Sequence, residues 1–235
     1  MGFARSSRRT IAGWCALLAT GLAGHAVAAG GVTPDGDSSG QRSTTQAYPA
    51  KRAEFGSVAH SANVSKVVNW AVASGDHGKM PFVIIDKVNA RAFVFDNQGS
   101  LLGAAPVLLG VGRGDESAAD IGTRRLSAIP VAERVTPAGR FVASLGHNLG
   151  QKDILWVDYA AAISFHRVIV GNPGERRLER LTTASTRDNR ISYGCINVPV
   201  AFYEKIIRPT FKSTSGIVYV LPERKSLYEV LGIRS

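Results

Sequence analysis

Arg190-Ile191-Ser192-Tyr193-Gly194-Cys195-Ile196-Asn197 is the stretch on which the reading of this chain turns. The sequence holds two cysteines, and the other, Cys15, lies in an N-terminal segment that reads as an export signal. A single cysteine left in an exported protein has no intramolecular disulfide partner. It is then a buried spectator, an intermolecular bridge or a reactive thiol. Gly194 and the small polar residues around it, with His166 upstream, favour the reactive thiol.

The expected leader occupies residues 1–28. Arg5, Arg8 and Arg9 form a basic front, Ile11 to Ala28 is mostly apolar, and Ala26-Val27-Ala28 is a small-x-small cleavage site. Gly13, Gly21, Gly24 and His25 make the apolar part a poor permanent span. Ser7-Arg8-Arg9 hints at twin-arginine export, with Thr10-Ile11-Ala12 a weak continuation, and Trp14 before Cys15 spoils a lipoprotein reading. No later stretch is long and apolar enough to cross a bilayer, so no stable span is expected after cleavage. The expected location is the periplasm or cell envelope.

The remaining roughly 200 residues suffice for one domain with a substantial core. The formal net charge is +10. Without the leader's Arg5, Arg8 and Arg9 it is about +7, which suits an anionic partner such as a wall polymer, and suits plain solubility as well. Lysines and arginines are scattered, with no basic run interleaved with aromatics. That pattern and export together argue against nucleic acid. Nothing in the sequence sets the oligomeric state.

Residues 29–55 are rich in Gly, Ser, Thr, Gln and Asp and read as a flexible tether. An N-terminal helical segment follows over 56–79. Val64, Val67, Val68, Ala71 and Val72 share one face of a helix from Ser61 to Ser74, and Gly75 ends it. From Pro81 the pattern changes to short β-branched and aromatic runs. Phe82 to Ile85 and Ala92 to Phe95 flank a hairpin connection at Asp86 to Asn89, and Asp96 to Gly99 is a second turn. Leu101 to Val111 reads as a strand interrupted at Pro106, hence an edge or a bulge. Residues 112–137 form a long polar loop, and loops of that length are usually functional or mobile. Thr136-Pro137-Ala138-Gly139 turns into a strand at Arg140. Ile154 to Val157, Ile163 to His166 and Gly216 to Leu221 are further strands. Pro199 opens a helix that Pro209 is expected to stop near Arg208. Such a pattern predicts a mainly β fold, a sandwich or barrel with a few peripheral helices.

A thiol is a weak nucleophile near neutrality because its ordinary pKa is about 8.5. It needs a base or a positive environment. His166, at the end of a predicted strand, is the best candidate base. His60 and His77 flank the N-terminal helix, and His147 sits in a glycine-rich turn. Gly194 leaves room for a sharp turn, and successive N–H groups there could hold an oxyanion. Arg190 and Arg167 could bind a carboxylate as bidentate partners. Asn197 could orient the cysteine loop through its amide or simply satisfy a turn. The histidines lack the spacing of a zinc site, so neither metal nor cofactor is expected.

Ser192-Tyr193-Gly194-Cys195-Ile196-Asn197 resembles the signature of the L,D-transpeptidase catalytic domain, which reads Ser or Thr, His-Gly-Cys, a hydrophobic residue and Asn or Arg. Thr136-Pro137-Ala138-Gly139-Arg140-Phe141 resembles that family's Thr-Pro-x-Gly-x-Phe turn. The resemblance covers residues 80–222 and leaves 223–235 as a C-terminal tail. It implies a cysteine transpeptidase acting on peptidoglycan stem peptides, with Cys195 as nucleophile and His166 as general base. Backbone N–H groups of Tyr193, Gly194 and Cys195 would hold the oxyanion. Arg190, Ser192, Asn197 and Arg167 complete the expected substrate-binding set. Two departures stand out. Tyr193 replaces the family's histidine, and the 171–190 segment makes the spacing from His166 to Ser192 longer than usual. Its Asn172-Pro173-Gly174 turn and charged residues read as a solvated face or as a lid that selects substrate. A hydrolase on the same fold, or a wall-binding module with Cys195 as a packed thiol, are the other readings.

Overall fold

The computed structural model describes residues 54–150 and 152–234. The leader at 1–28 and the tether up to residue 53 lie outside the described residues.

Helix α1 spans Ala62–Ser74 and forms as its sequence predicts: the Ser61 hydroxyl caps it by accepting from the Val64 N–H, and Gly75 ends it in the left-handed conformation. The strands are β1 Phe82–Asp86, β2 Arg91–Phe95, β3 Leu101–Pro106, β4 Leu109–Gly110, β5 Gly139–His147, β6 Asp153–Asp158, β7 Ile163–Arg167, β8 Arg190–Ser192, β9 Ile196–Val198 and β10 Gly216–Val220. The other helices are short: α2 Arg177–Arg180, α3 Val200–Phe202, α4 Arg208–Phe211 and α5 Leu227–Leu231. Eight strands form one sheet in the order β3-β2-β1-β10-β5-β6-β7-β9, and β4 pairs with β8 separately. Leu108, just past β3, exchanges both backbone hydrogen bonds with Asn197 of β9. The sheet therefore curls until its two margins nearly meet. The expected mainly β architecture with peripheral helices is what forms.

The central strands read as continuous apolar runs because both faces are covered. Val83 and Ile85 of β1, Val94 of β2 and Val218 and Val220 of β10 face an inner core with Leu155, Phe165, Ile196 and Tyr203. The alternate residues Phe82, Ile84, Phe93, Phe95, Ile217 and Tyr219 face α1 and α5. Each such side chain contributes about 1.5–3 kcal/mol by leaving water.

Four local expectations need revision. The helix after Pro199 does not stop at Pro209. A wide turn at Tyr203–Ile207, in which the Arg208 N–H donates to the Tyr203 carbonyl, joins α3 to α4. Proline lacks an N–H and clashes with the carbonyl four residues back in a regular helix; the widened turn just ahead moves that carbonyl out of register. The run from Leu101 to Val111 is not one strand: it divides after Pro106 into β3, at the edge of the large sheet as the proline suggests, and β4, in the small one. His147 closes β5 rather than sitting in a turn. At the ends, Phe55 is buried against Phe93 and Phe95. Leu227 and Ile233, within the expected tail, join the same core, and Ser226 with Glu229 forms a reciprocal cap on α5.

A buried charge network ties the long loop to the sheet. The Lys87 ammonium donates to Asp115 Oδ1 at 2.7 Å and to the carbonyls of Gly114 at 2.6 Å and Thr136 at 3.0 Å. Asp115 also accepts from the backbone N–H groups of Glu223, Arg224 and Lys225. Burial pushes the Asp115 carboxyl up, yet the Lys87 ammonium and those N–H groups outweigh it and hold it at about 2. A carboxyl held below its unfolded value of about 3.9 adds stability above that value and loses it as the pH falls through about 2. Asp115→Asn is therefore expected to lose about 3–5 kcal/mol at neutral pH, because Lys87 is left buried with only Glu223, 3.9 Å away and already paired with Arg190, to offset its charge. The gap to the parent should narrow below about pH 4. Urea unfolding across that range measures it, and a constant gap would remove the carboxylate's charge as the cause.

Candidate active site

β7 and β9 run parallel, with Phe165 beside Ile196 and His166 beside Asn197. Because side chains alternate along a strand, Phe165 and Ile196 enter the inner core while Ser164 and His166 share the other face with Asn197. Cys195, two residues before Asn197, falls on that same face. Alternation on two neighbouring strands thus gathers the candidate nucleophile, the candidate base and two polar partners.

The turn that presents Cys195 is fixed from within. The Ser192 hydroxyl donates to the Cys195 carbonyl at 2.6 Å and accepts from the Gly194 N–H at 3.1 Å. Gly194 has φ +133°, and a Cβ there would lie 2.7 Å from Ile163 Cδ1 and 2.8 Å from the Val135 carbonyl oxygen. Only glycine fits such a conformation and such an approach. From outside, the Thr136 hydroxyl donates to the Gly194 carbonyl at 2.7 Å and accepts from the Gly110 N–H at 2.9 Å. The Thr136-Pro137-Ala138-Gly139 turn therefore braces the cysteine turn, and Lys87 braces Thr136 through its carbonyl.

His166 Nδ1 lies 2.7 Å from the Arg167 carbonyl oxygen. That oxygen can only accept, so Nδ1 carries a proton and Nε2 is the ring nitrogen left to exchange one with a neighbour. Asn197 Nδ2 approaches Nε2 at 3.4 Å and donates to the Cys195 carbonyl at 3.2 Å. The Ser164 hydroxyl lies 3.5 Å from Cys195 Sγ, and Sγ lies 3.6 Å from the Ala162 carbonyl oxygen. Burial pushes the Cys195 thiol up, but hydrogen bonding and charge from His166, with help from Ser164, hold it below its ordinary range. Cys195 is half-buried and is the free cysteine of the described residues. The arrangement can supply a thiolate and, beside it, a proton acceptor held in one orientation.

Not every expected site residue joins this group. Arg190 is buried, and its guanidinium is committed to Glu223 Oε2 at 2.8 Å and to the Lys87 carbonyl at 2.8 Å. Arg167 is held by Glu204 at 2.6 Å and by both carboxylate oxygens of Asp153, and it stacks on Tyr203. Neither guanidinium has a free fork for a carboxylate, which corrects the expectation for both. The Ser192 hydroxyl is used inside its own turn rather than on a ligand. The Gly194 N–H is likewise taken by Ser192, whereas the N–H groups of Tyr193 and Cys195 meet no acceptor among the described residues. The Tyr193 ring lies beneath the Arg134 guanidinium, 4.1 Å from Cζ to the centroid, so the long loop holds this departure from the expected histidine in place. Of the remaining histidines, His77 is buried between the carbonyls of Ala71 and Asn97, and His60 stacks on Phe55.

Sequence reading missed four contributors: Ser164, Arg134, Arg177 and the Arg167 carbonyl. Only Ser164 left a signal, two residues before His166 and so on the same strand face. A cleft of about 440 Å³ opens beside His166, lined among others by Lys152, Ile154, Ile169, Val170 and Val200. Among the described residues no cluster of His, Cys, Asp or Glu side chains is placed to hold a metal ion, and no helix is long and apolar enough to cross a membrane.

No family model matches the sequence, and no curated protein matches it. Among solved structures, the chain is similar to LD transpeptidase LdtMt1 in complex with imipenem. The likeness covers 60% of this chain and 58% of that one, at 14% identity and a TM-score of 0.31. At that level it assigns no residue a role, and the site rests on its own geometry.

Proposed function

We propose that this chain is a cysteine transpeptidase of the cell envelope that acts on peptidoglycan stem peptides. The observation that carries the reading is the shared strand face of β7 and β9, on which His166, held by the Arg167 carbonyl, and Cys195, its thiol below the ordinary range, are bridged by the Asn197 amide. The resemblance of the Ser192 to Asn197 and Thr136 to Phe141 segments supplies the substrate class.

In this mechanism His166 Nε2 takes the thiol proton, and the Cys195 sulfur attacks the carbonyl carbon of the third stem residue. The N–H groups of Tyr193 and Cys195 receive the negative charge that develops on oxygen. The amide C–N bond breaks, His166 returns the proton to the departing amine, and a thioester remains. An acceptor amine then attacks the thioester, loses its proton to His166 and releases Cys195. Water in place of the amine would give hydrolysis. The cleft that His166 lines, with its apolar wall and Lys152, receives peptide on the imidazole side of the pair.

Incubation with a tetrapeptide stem followed by intact-protein mass spectrometry tests the reading. An adduct on Cys195 is expected, with the mass of the stem less its terminal amino acid. New crosslinks or exchanged terminal amino acids among the products would mark a transferase. Free acids alone would mark a hydrolase, and an unmodified thiol would remove the enzymatic reading.

A further inference from the structure

The 171–190 segment is docked rather than loose. Leu181 is buried with Leu108 and Val168, with Ile191 packed alongside. The Arg180 guanidinium donates to the carbonyls of Glu175 at 2.7 Å and Asp188 at 2.9 Å, closing the segment on itself. Arg176 and Glu179 pair in solvent. Arg177 turns the other way. Its guanidinium bridges the Glu175 carboxylate and Asn197 Oδ1, the latter at 2.8 Å.

A guanidinium only donates and a carbonyl oxygen only accepts. Arg177 on one side and the Cys195 carbonyl on the other therefore impose one orientation on the Asn197 amide, with Oδ1 toward the loop and Nδ2 toward the site. In that orientation the single NH₂ group reaches both the Cys195 backbone and His166 Nε2. Asn197 bridges the nucleophile and its partner imidazole, and Arg177 clamps the bridge from a segment that the sequence reads as a solvated face or a lid. The open choice for Asn197 resolves toward orientation of the cysteine turn.

We infer that Arg177 is a positioning residue for the Cys195–His166 pair, acting through the Asn197 amide. It touches neither reacting atom. This inference rests on the proposed roles of Cys195 and His166 but needs no particular substrate.

The test is the rate of Cys195 alkylation by iodoacetamide as a function of pH. Arg177→Met keeps the stem that packs the loop and removes every donor. It is expected to slow alkylation near neutrality by about three- to tenfold, less than the full worth of one hydrogen bond from a charged donor because Arg177 acts on the pair only through Asn197, and to move the profile to higher pH. Arg177→Lys, which keeps a donor, should restore most of the rate. In an Asn197→Ala background, Arg177→Met should change nothing further, because the two residues act in series. A purely structural role would lower the melting temperature of Arg177→Met and leave the pH profile of its folded fraction where it was. That outcome, or effects of Arg177→Met and Asn197→Ala that simply add, would overturn the inference. Failure of every stem peptide to acylate the parent enzyme would count against the proposed function alone.

Discussion

Cys195→Ala is expected to lower covalent capture of a stem peptide by about 10⁴-fold or more, since no neighbouring group replaces the sulfur as nucleophile. Its fold should survive. The side chain is small and half-buried, and the turn around it is held by Ser192, Gly194 and Thr136 rather than by the thiol. A melting temperature within a few degrees of the parent, corresponding to about 1 kcal/mol or less, is the expected control. Mass spectrometry of the variant after incubation with a tetrapeptide stem should show no adduct. An adduct that persists would place the nucleophile elsewhere.

His166→Ala is the second large effect, and its pH dependence separates the two tasks given to the imidazole. In the parent, His166 holds the Cys195 thiol below its ordinary range. Without it, burial is left to push the thiol up, with only Ser164 opposing. Acylation near neutral pH should fall by about 10²–10⁴-fold, the usual contribution of a positioned acid–base group. Alkylation by iodoacetamide requires only a thiolate, so raising the pH should restore it. Acylation by a stem peptide also requires a proton for the departing amine, so the same rise should restore it only in part. Equal recovery in both assays would leave His166 as no more than a positive neighbour.

The parts of the fold legible in the sequence were those set by local pattern. Helix α1 carried its cap at Ser61, its apolar face and its terminating Gly75 within one short span. The β1–β2 hairpin was legible because both of its faces are buried, so each strand carries an unbroken apolar run, Phe82 to Ile85 and Ala92 to Phe95. Strands β8 and β9 were not, because each has three residues and is held by partners far along the chain; β4 fell inside the expected run to Val111, but its pairing with β8 was not visible. The site divided in the same way. Cys195 and Gly194 were visible in one motif, and His166 stood at the end of a strand. Arg190 lies in that motif too, yet its side chain pairs with Glu223, a residue that sequence placed in a tail. Adjacency to a nucleophile says nothing about which way a long side chain turns. Arg177 is the converse case. It sits in a charged run that resembles any solvated surface, and only the docking of Leu181 turns its guanidinium toward Asn197.

The charge network beneath the long loop also changes how the Thr136-Pro137-Ala138-Gly139 turn is understood. Its threonine connects Lys87 on one side with Gly194 on the other. The four charges Lys87, Asp115, Arg190 and Glu223 form the floor on which the cysteine turn rests. Arg190 therefore serves the site from below, as part of that floor.

Everything attributed to this site depends on Cys195 ionising against His166. Ultraviolet titration of the thiolate in the folded protein, with Cys195→Ala as the blank, measures it. The parent should show its thiolate transition below the ordinary thiol value of about 8.5, and His166→Ala should move that transition upward. A parent transition at or above that value, unchanged when the imidazole is removed, would show that the two side chains do not form the catalytic pair.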